Sequence, residues 1–472
     1  MASTENFDLV IIGSGPGGYV AAVRAVQLGM RVACVEKEDR LGGVCLRVGC
    51  IPSKALLDSS EYFQLAKNKL SAHGVKTGRV SLDLPIMMAR KDKVVEELTH
   101  NVRRLLERNK IEIFHGRGSL AGDGRVKVSQ TSGKGKAQTL QAKTILLATG
   151  SEPMTLPGIP FDGNYIVSST EALKLDTVPK HLGIVGGGYI GLELGSVWLR
   201  LGAKVTMIEM LPKIATLLDG QVGRTLQRIL KKQGFDIRLK TTVTKAKVVK
   251  GKVQVAIEAG DKKENLTFDR LLVAVGRRPL TRGLSLEKAG VRIDVKTGQV
   301  PVNEKFQTNV PHIYAIGDLI PGPMLAHTAS AEGIAAVECM AGQPGEVNYD
   351  AIPAIIYTAP EVATVGLTEE QVKERGVPYC VGTYPFTGAG RARCMGETDG
   401  FIKLISHSKT DRILGVHIIG ARAADIIAEC VLALEFGASS EDIARTIHGH
   451  PTFSEALMEA AAATRKCAIY SF

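Results

Sequence analysis

Two cysteines five residues apart are the side chains in this sequence best placed to do chemistry. They lie in Leu41-Gly42-Gly43-Val44-Cys45-Leu46-Arg47-Val48-Gly49-Cys50-Ile51-Pro52-Ser53-Lys54. On a regular helix that spacing sets them about 8 Å apart, beyond the ~7 Å that a disulfide tolerates. A bridge between them requires a distorted turn, and Gly49 and Pro52 are the residues that permit one. The other readings are a pair of buried structural cysteines or half of a metal site. No C-x-x-C pair or histidine cluster offers the remaining ligands, so no metal is expected. Near the other end, His448-Gly449-His450-Pro451-Thr452-Phe453-Ser454-Glu455 sets two histidines beside a carboxylate. A histidine held by Glu455 is a base poised near neutral pH; a satisfied surface histidine is the alternative.

These residues need elements to position them, and the elements announce themselves through glycine. The apolar run Phe7 to Ile12 leads into Gly13-Ser14-Gly15-Pro16-Gly17-Gly18, then a helix pattern from Tyr19 to Leu28 and a strand ending at Glu36. The pattern returns where His181 to Val185 runs into Gly186-Gly187-Gly188-Tyr189-Ile190-Gly191, followed by a helix and a strand ending at Glu209. The acid stands at the same distance from the first glycine in both copies. Each is a βαβ unit with a dinucleotide fingerprint: Gly13 and Gly186 for the tight turn, Gly15 and Gly188 for close approach to a pyrophosphate, Gly18 and Gly191 for helix–strand packing. Glu36 and Glu209 would accept hydrogen bonds from ribose hydroxyls, the alternative being charged strand ends in solvent. A carboxylate at Glu209 repels a 2′-phosphate, and Glu209-Met210-Leu211-Pro212 supplies no arginine to receive one, which favours NAD over NADP.

Apolar strands ending at Gly150 and Gly276 follow the two loops as late strands of the same sheets, and a third ends in Gly317-Asp318. Residues 236–268 alternate valine with lysine and read as a polar-faced antiparallel insertion. Beyond residue 348 an α+β segment carries no glycine loop. Its strand-like pieces run from Gly400 to Ile405 and from Ile413 to Ile419, followed by helices from Ala423 to Phe436 and up to Ala463.

At ~150 residues per domain, 472 residues suggest about three domains. Hydrophobic residues at 44% and charged residues at 23% are globular usage and exclude a disordered or collagen-like chain. Eight cysteines are too few for a secreted disulfide scaffold. No apolar run reaches the ~18 residues of a membrane span, with Glu193 and Glu429 interrupting the best candidates. The start, MASTENFDLV, enters a strand pattern at once and leaves no room for a signal peptide. The expected setting is a reducing compartment, either a cytoplasm or an organelle matrix or stroma after loss of a transit peptide. The net charge of +11 is spread over Lys231-Lys232, Lys245 to Lys252 and Lys262-Lys263, without aromatic interleaving. That excludes a nucleic-acid surface and leaves a solvated basic face or a dock for an acidic protein.

Taken together, these motifs resemble the pyridine nucleotide–disulfide oxidoreductases from end to end. The resemblance rests on the first glycine loop through Tyr19, Gly42 to Lys54, Ala148-Thr149-Gly150-Ser151, and Gly186 to Glu193. It continues through Val275-Gly276-Arg277-Arg278-Pro279, Ala315-Ile316-Gly317-Asp318 and His450 to Glu455. It implies an α/β fold with two Rossmann-like domains and an α+β dimerisation domain. FAD would sit on residues 1–152 and 277–347, NAD on 153–276, and the interface on 348–472. FAD would be held by Gly13, Gly15, Gly18, Glu36, Lys54, Gly150, Asp318 and Ala326. NAD would be held by Gly186, Gly188, Gly191, Glu209 and Gly276. Lys54 would lie by the flavin N5, paired with Glu193. Cys45 and Cys50 would form a redox disulfide, Cys45 attacked by substrate and Cys50 nearer the flavin. His450, oriented by Glu455, would serve the cysteines of the opposite subunit of a homodimer. The implied electron donor is a dihydrolipoyl group, on a lipoylated protein or in a 2-oxo acid dehydrogenase complex built on an acyltransferase core. A glutathione-reductase-like use of NADPH is the alternative, disfavoured by Glu209 and by Ile51-Pro52-Ser53-Lys54. Val44 and Arg47 stand where the family usually has threonine and asparagine, and Arg47 is expected to bring a positive charge near the cysteines.

Overall fold

A strand apolar on both faces belongs inside a parallel sheet, and Glu5–Ile12 takes that position, with Leu9, Val10 and Ile11 fully buried. The computed structural model describes residues 5–131 and 137–470. The chain divides into two compact units: Met1–Leu56, Asp83–Met154 and Gly276–Val347 in one, and Leu57–Leu82, Thr155–Val275 and Asn348–Phe472 in the other. Sheets and helices alternate in both, so the fold is α/β. Among the described residues no helix is long and apolar enough to cross a membrane.

In the first unit, Glu5–Ile12 pairs in parallel with Val32–Glu36 on one side and Gln138–Leu147 on the other. The strand Ile313–Ala315 adds in parallel beside Ile145 to Leu147, so the chain returns to its first sheet some 170 residues later and delivers Asp318 there. The helix Pro16–Gln27 begins earlier than the sequence pattern suggests, because Pro16 supplies a fixed φ in its first turn and draws Gly17 and Gly18 into the helix. It crosses Ala326–Met340 at glycine contacts: a Cβ on Gly333 would meet the carbonyl of Gly17 at 2.6 Å.

In the second unit, Asp236–Arg238, Lys204–Ile208, His181–Val185, Arg270–Val273 and Ile166–Val167 form a parallel five-stranded sheet in that order. The antiparallel insertion is therefore shorter than residues 236–268. Asp236–Arg238 belongs to the parallel sheet, and only Thr242–Val249, Lys252–Ala259 and Lys262–Phe268 form the meander. One face of the meander is solvated and lysine-bearing, while Val253, Val255 and Ile257 are buried beneath. The remainder is a five-stranded antiparallel sheet. Besides Phe401–His407 and Ile413–Gly420 it contains Ala354–Ile356, Glu361–Gly366 and Tyr379–Pro385, three strands that the sequence pattern does not announce. The helices Ala423–Glu435 and Glu455–Ala463 pack on it.

The two glycine loops are built alike to the level of single atoms. Gly13 and Gly186 have φ of +109° and +105°, and a Cβ would strike the carbonyl of Ala148 at 2.3 Å in one and of Ala274 at 2.4 Å in the other. Gly18 and Gly191 ride on the carbonyls of Gly13 and Gly186, which a Cβ would meet at 1.9 and 2.4 Å. The middle glycines differ: nothing lies within 4 Å of a Cβ on Gly188, whereas a Cβ on Gly15 would meet the Cα of Gly43 at 3.8 Å. Gly191→Ala should therefore lower stability by about 3 kcal/mol or more, because rigid backbone blocks the methyl group. Gly188→Ala, at φ −77° with no neighbour, should stay within about 1 kcal/mol. Thermal unfolding of the two variants checks this, and equal losses would contradict it.

Candidate functional site

Helix N-termini carry unpaired N–H groups that side-chain caps usually satisfy. Asp83, Ser168, Asp219, Thr368 and Ser439 cap their helices in this way. Pro16–Gln27, Tyr189–Arg200 and Ala326–Met340 have neither a side-chain cap nor an acid in the first turn. Two of these three follow the glycine loops. Free N–H groups, the positive helix end and an open middle glycine fit a pyrophosphate.

The acids at the ends of the second strands are buried, not solvated. Glu36, 6% exposed, accepts from Ser14 N–H at 3.0 Å and Ser14 Oγ at 2.6 Å through one oxygen, and from Glu38 N–H at 3.0 Å through the other. Glu209, 9% exposed, accepts from Gly187 N–H at 2.6 Å and Leu211 N–H at 2.8 Å. Each carboxylate thus grips the second residue of its own glycine loop, a role that the spacing alone did not reveal.

Gly150 and Asp318 come together through two residues that the sequence reading did not single out. The Ser151 hydroxyl donates to Asp318, and Arg277 donates to Ser151 Oγ and to its carbonyl, both at 2.7 Å. Gly276, with φ +123°, receives the N–H of Met154 on its carbonyl, and Thr149 Oγ1 donates to the carbonyl of Leu280. Gly317 N–H is held by the buried carboxylate of Glu332 at 2.6 Å. Ala326 opens its helix, half-buried, with its N–H free of a side-chain cap. Arg277 directly follows the glycine that closes an apolar strand, inside the motif Val275 to Pro279, but nothing in that motif names Ser151 as its partner.

The cysteine segment breaks where glycine permits. The helix Gly43–Val48 stops at Gly49, with φ −137° and ψ −113°, and Cys50–Asn68 starts anew. The break brings Cys45 and Cys50 into hydrogen-bond contact as thiols. That contact and burial push the Cys45 thiol well above its ordinary range, while Lys54 acts in the opposite direction. Arg47 does not act as expected. Its guanidinium lies 3.1 Å from Glu38 and its Nε donates to the carbonyl of Gly43 at 3.2 Å, so its charge is matched locally and the cation acting on Cys45 is Lys54. Of the other six cysteines, Cys34 and Cys430 are buried with their thiols pushed up by burial; Cys394 and Cys467 are exposed.

In the second unit, His450 Nδ1 lies 2.8 Å from Glu455 Oε1, and Glu455 Oε2 accepts from Thr452 N–H at 2.7 Å. Burial pushes the Glu455 carboxyl up, but His450 and the Thr452 N–H outweigh it and hold the carboxyl below its ordinary range. In the neutral ring with Nδ1–H donating to this carboxylate, Nε2 is the nitrogen that carries the lone pair. His448 is engaged elsewhere, between Glu429 and the carbonyl of Thr446. Glu193 is buried on Tyr189–Arg200 and accepts from Tyr357 N–H at 3.0 Å, so it is not a solvated helix residue.

Comparison with known proteins agrees with this arrangement. Residues 7–333 match the family model for pyridine nucleotide-disulphide oxidoreductases, and residues 352–461 match that family's dimerisation domain. A protein of Pisum sativum named dihydrolipoyl dehydrogenase, mitochondrial, is 48% identical, over 98% of this chain and 92% of its own. A protein of the same name from Bos taurus is 50% identical, over 96% of this chain and 89% of its own. The solved structure of the HOCl-induced flavoprotein disulfide reductase RclA from Escherichia coli superposes with a TM-score of 0.86 at 28% identity, covering 97% of this chain and 99% of that one. The chain belongs to the pyridine nucleotide-disulphide oxidoreductases and carries their dimerisation domain.

Proposed function

We propose that this chain is an NAD-dependent dihydrolipoyl dehydrogenase, converting dihydrolipoyl groups and NAD to lipoyl groups and NADH. The observation that carries this reading is the Cys45–Cys50 contact across the Gly49 break, in a chain with two glycine loops. Bound on the first loop, FAD would supply a two-electron acceptor for the cysteine pair, and NAD on the second loop would supply the final hydride acceptor. Residues 1–152 with 277–347 hold FAD, 153–276 hold NAD, and 348–472 form the dimer face. The open Gly15 and Gly188 turns receive the pyrophosphates. Asp318, set by Ser151 and Arg277, holds the ribityl or phosphate region. Gly150, Gly276 and Ala326 border the cofactors with backbone alone.

In the working cycle Cys45 and Cys50 begin as a disulfide. His450 of the partner subunit, held through Nδ1 by Glu455, takes a proton on Nε2 from the substrate dithiol. The thiolate attacks Cys45, and Cys50 leaves as a thiolate; the second substrate sulfur then displaces Cys45 and closes the lipoyl disulfide. Lys54 stabilises the negative charge on the departing Cys50. Glu209, a buried carboxylate locked onto two backbone N–H groups, repels a 2′-phosphate, which supports NAD rather than a glutathione-reductase-like use of NADPH. The lysine face of the antiparallel meander suits an acidic partner such as the acyltransferase core of a 2-oxo acid dehydrogenase complex, or a lipoylated protein. An organelle matrix or a bacterial-type cytoplasm provides the reducing surroundings this thiol chemistry needs.

The purified protein should be yellow and should oxidise dihydrolipoamide with NAD; a colourless protein, or turnover only of glutathione disulfide with NADPH, overturns the reading. Cys50→Ser should retain flavin yet lose dithiol turnover by at least ~10³-fold. Full activity in that variant would exclude the mechanism. Glu455→Gln should lower kcat by about 10²–10⁴-fold, and adding His450→Gln should cost little more, since the two act as a unit. Additive losses in the double variant would show that Glu455 works apart from His450.

A further inference from the structure

The second glycine loop is flanked by residues 210–219, and this stretch is held at three points. Leu211 N–H donates to Glu209 Oε1 at 2.8 Å. Ala215 N–H donates to the carbonyl of Gly187 at 2.8 Å, and the fully buried Ile214 lies against the Cα of Gly187. Ala215 sits at φ +44°, a left-handed conformation that a Cβ disfavours and that persists only when the surroundings impose it. The third hold is Asp219, with no exposed surface.

Asp219 joins three elements. One oxygen caps Gly220–Gln233 by accepting from Gln221 N–H at 3.0 Å, and the other accepts from Lys403 Nζ at 2.8 Å and Glu369 N–H at 3.3 Å. Lys403, 2% exposed on Phe401–His407, also reaches Glu369 Oε2 at 2.6 Å. Glu369 in turn accepts from Tyr379 and pairs with Lys373, both at 2.9 Å. Glu370 accepts from Gly220 N–H, the first helical N–H after Asp219. His417, across the strand from Lys403, is buried with its ring between Thr364 and the carbonyl of Leu367. Burial pushes the Asp219 carboxyl up, but Lys403 and His417 outweigh it and hold it below its ordinary range. Lys403 and Lys373 hold Glu369 down to about 2. A buried carboxylate without its cation is strongly disfavoured, so removing Lys403 drives Asp219 to move. Asp219 cannot move without releasing the stretch that carries Ala215 and Ile214.

We propose that Lys403 is a positioning residue for the pyridine nucleotide site, holding Asp219 so that residues 210–219 keep the Gly186–Gly191 loop in its binding shape. The inference rests on the reading that NAD binds this second loop. A role confined to stability would lower the melting temperature of the folded protein and leave nucleotide affinity unchanged.

The test is calorimetric titration of the flavin-loaded protein with ADP-ribose, which carries the pyrophosphate and ribose but accepts no hydride. Lys403→Met should weaken ADP-ribose binding about tenfold, ~1.4 kcal/mol, with a matching rise in KM for NAD and the loss in KM rather than kcat. Asp219→Asn keeps a capping oxygen while removing the charge, and should weaken binding about threefold. If Lys403→Met does not fold, Asp219→Asn decides by the same measurement. Wild-type protein that fails to bind ADP-ribose overturns the assignment of NAD to this loop. Wild-type protein that binds, beside folded variants that bind as tightly, overturns the role of Lys403 alone.

Discussion

A buried carboxylate gripping the N–H of a glycine loop is the contact on which both nucleotide-binding halves depend. Glu36 holds Ser14, and Glu209 holds Gly187, across the same sequence separation of 22 residues. The loop must leave its helix N–H groups uncapped and its middle glycine bare if a pyrophosphate is to approach, so it cannot be stabilised from the ligand side. The acid stabilises it from behind. The remaining two glycines are then fixed by backbone contact with Ala148 or Ala274 and with each other. Each loop is thus braced from behind by backbone contacts and a buried acid.

The same logic explains how the halves reach the chemistry. The cysteine segment begins right after the first loop's acid, and Gly42 N–H donates to the carbonyl of Ser14 at 3.0 Å. Gly43, with φ +64°, lies so close to Gly15 that a Cβ would meet its Cα at 2.5 Å. The turn that carries Cys45 is therefore fastened to the phosphate loop itself. Rigidity at one end sets the position of the sulfurs at the other.

Much of this is legible in the sequence where the signal is local. Glycine spacing, the acid at a fixed distance, the glycine between the two cysteines and the five-residue step from His450 to Glu455 all lie within short windows, and the fold brings the residues of each window together. The contacts that stayed hidden join distant positions. Ser151 meets Asp318 across 167 residues and Arg277 across 126, and Lys403 meets Asp219 across 184. No periodicity encodes such pairs; only the folded sheets bring them together. The strands Ala354–Ile356 and Glu361–Gly366 stayed hidden for another reason. They are short and separated by a proline-containing turn, so their apolar alternation never completes a pattern.

Arg47 shows why a charge read from sequence needs its surroundings. A cation one turn from a thiol favours the thiolate if the cation is unmatched. Here Glu38, itself tied by its N–H to Glu36, matches it at 3.1 Å, so the pair is close to neutral as seen from Cys45. What Arg47 contributes is mechanical. It links the loop after Glu36 to the first turn of the cysteine helix, through Glu38 on one side and the carbonyl of Gly43 on the other. Lys54 stands on the far side of the Gly49 break and is the cation whose field lowers the Cys45 thiol. The break at Gly49 thus does two things at once: it closes the distance between the sulfurs, and it puts them beside the cation of Lys54.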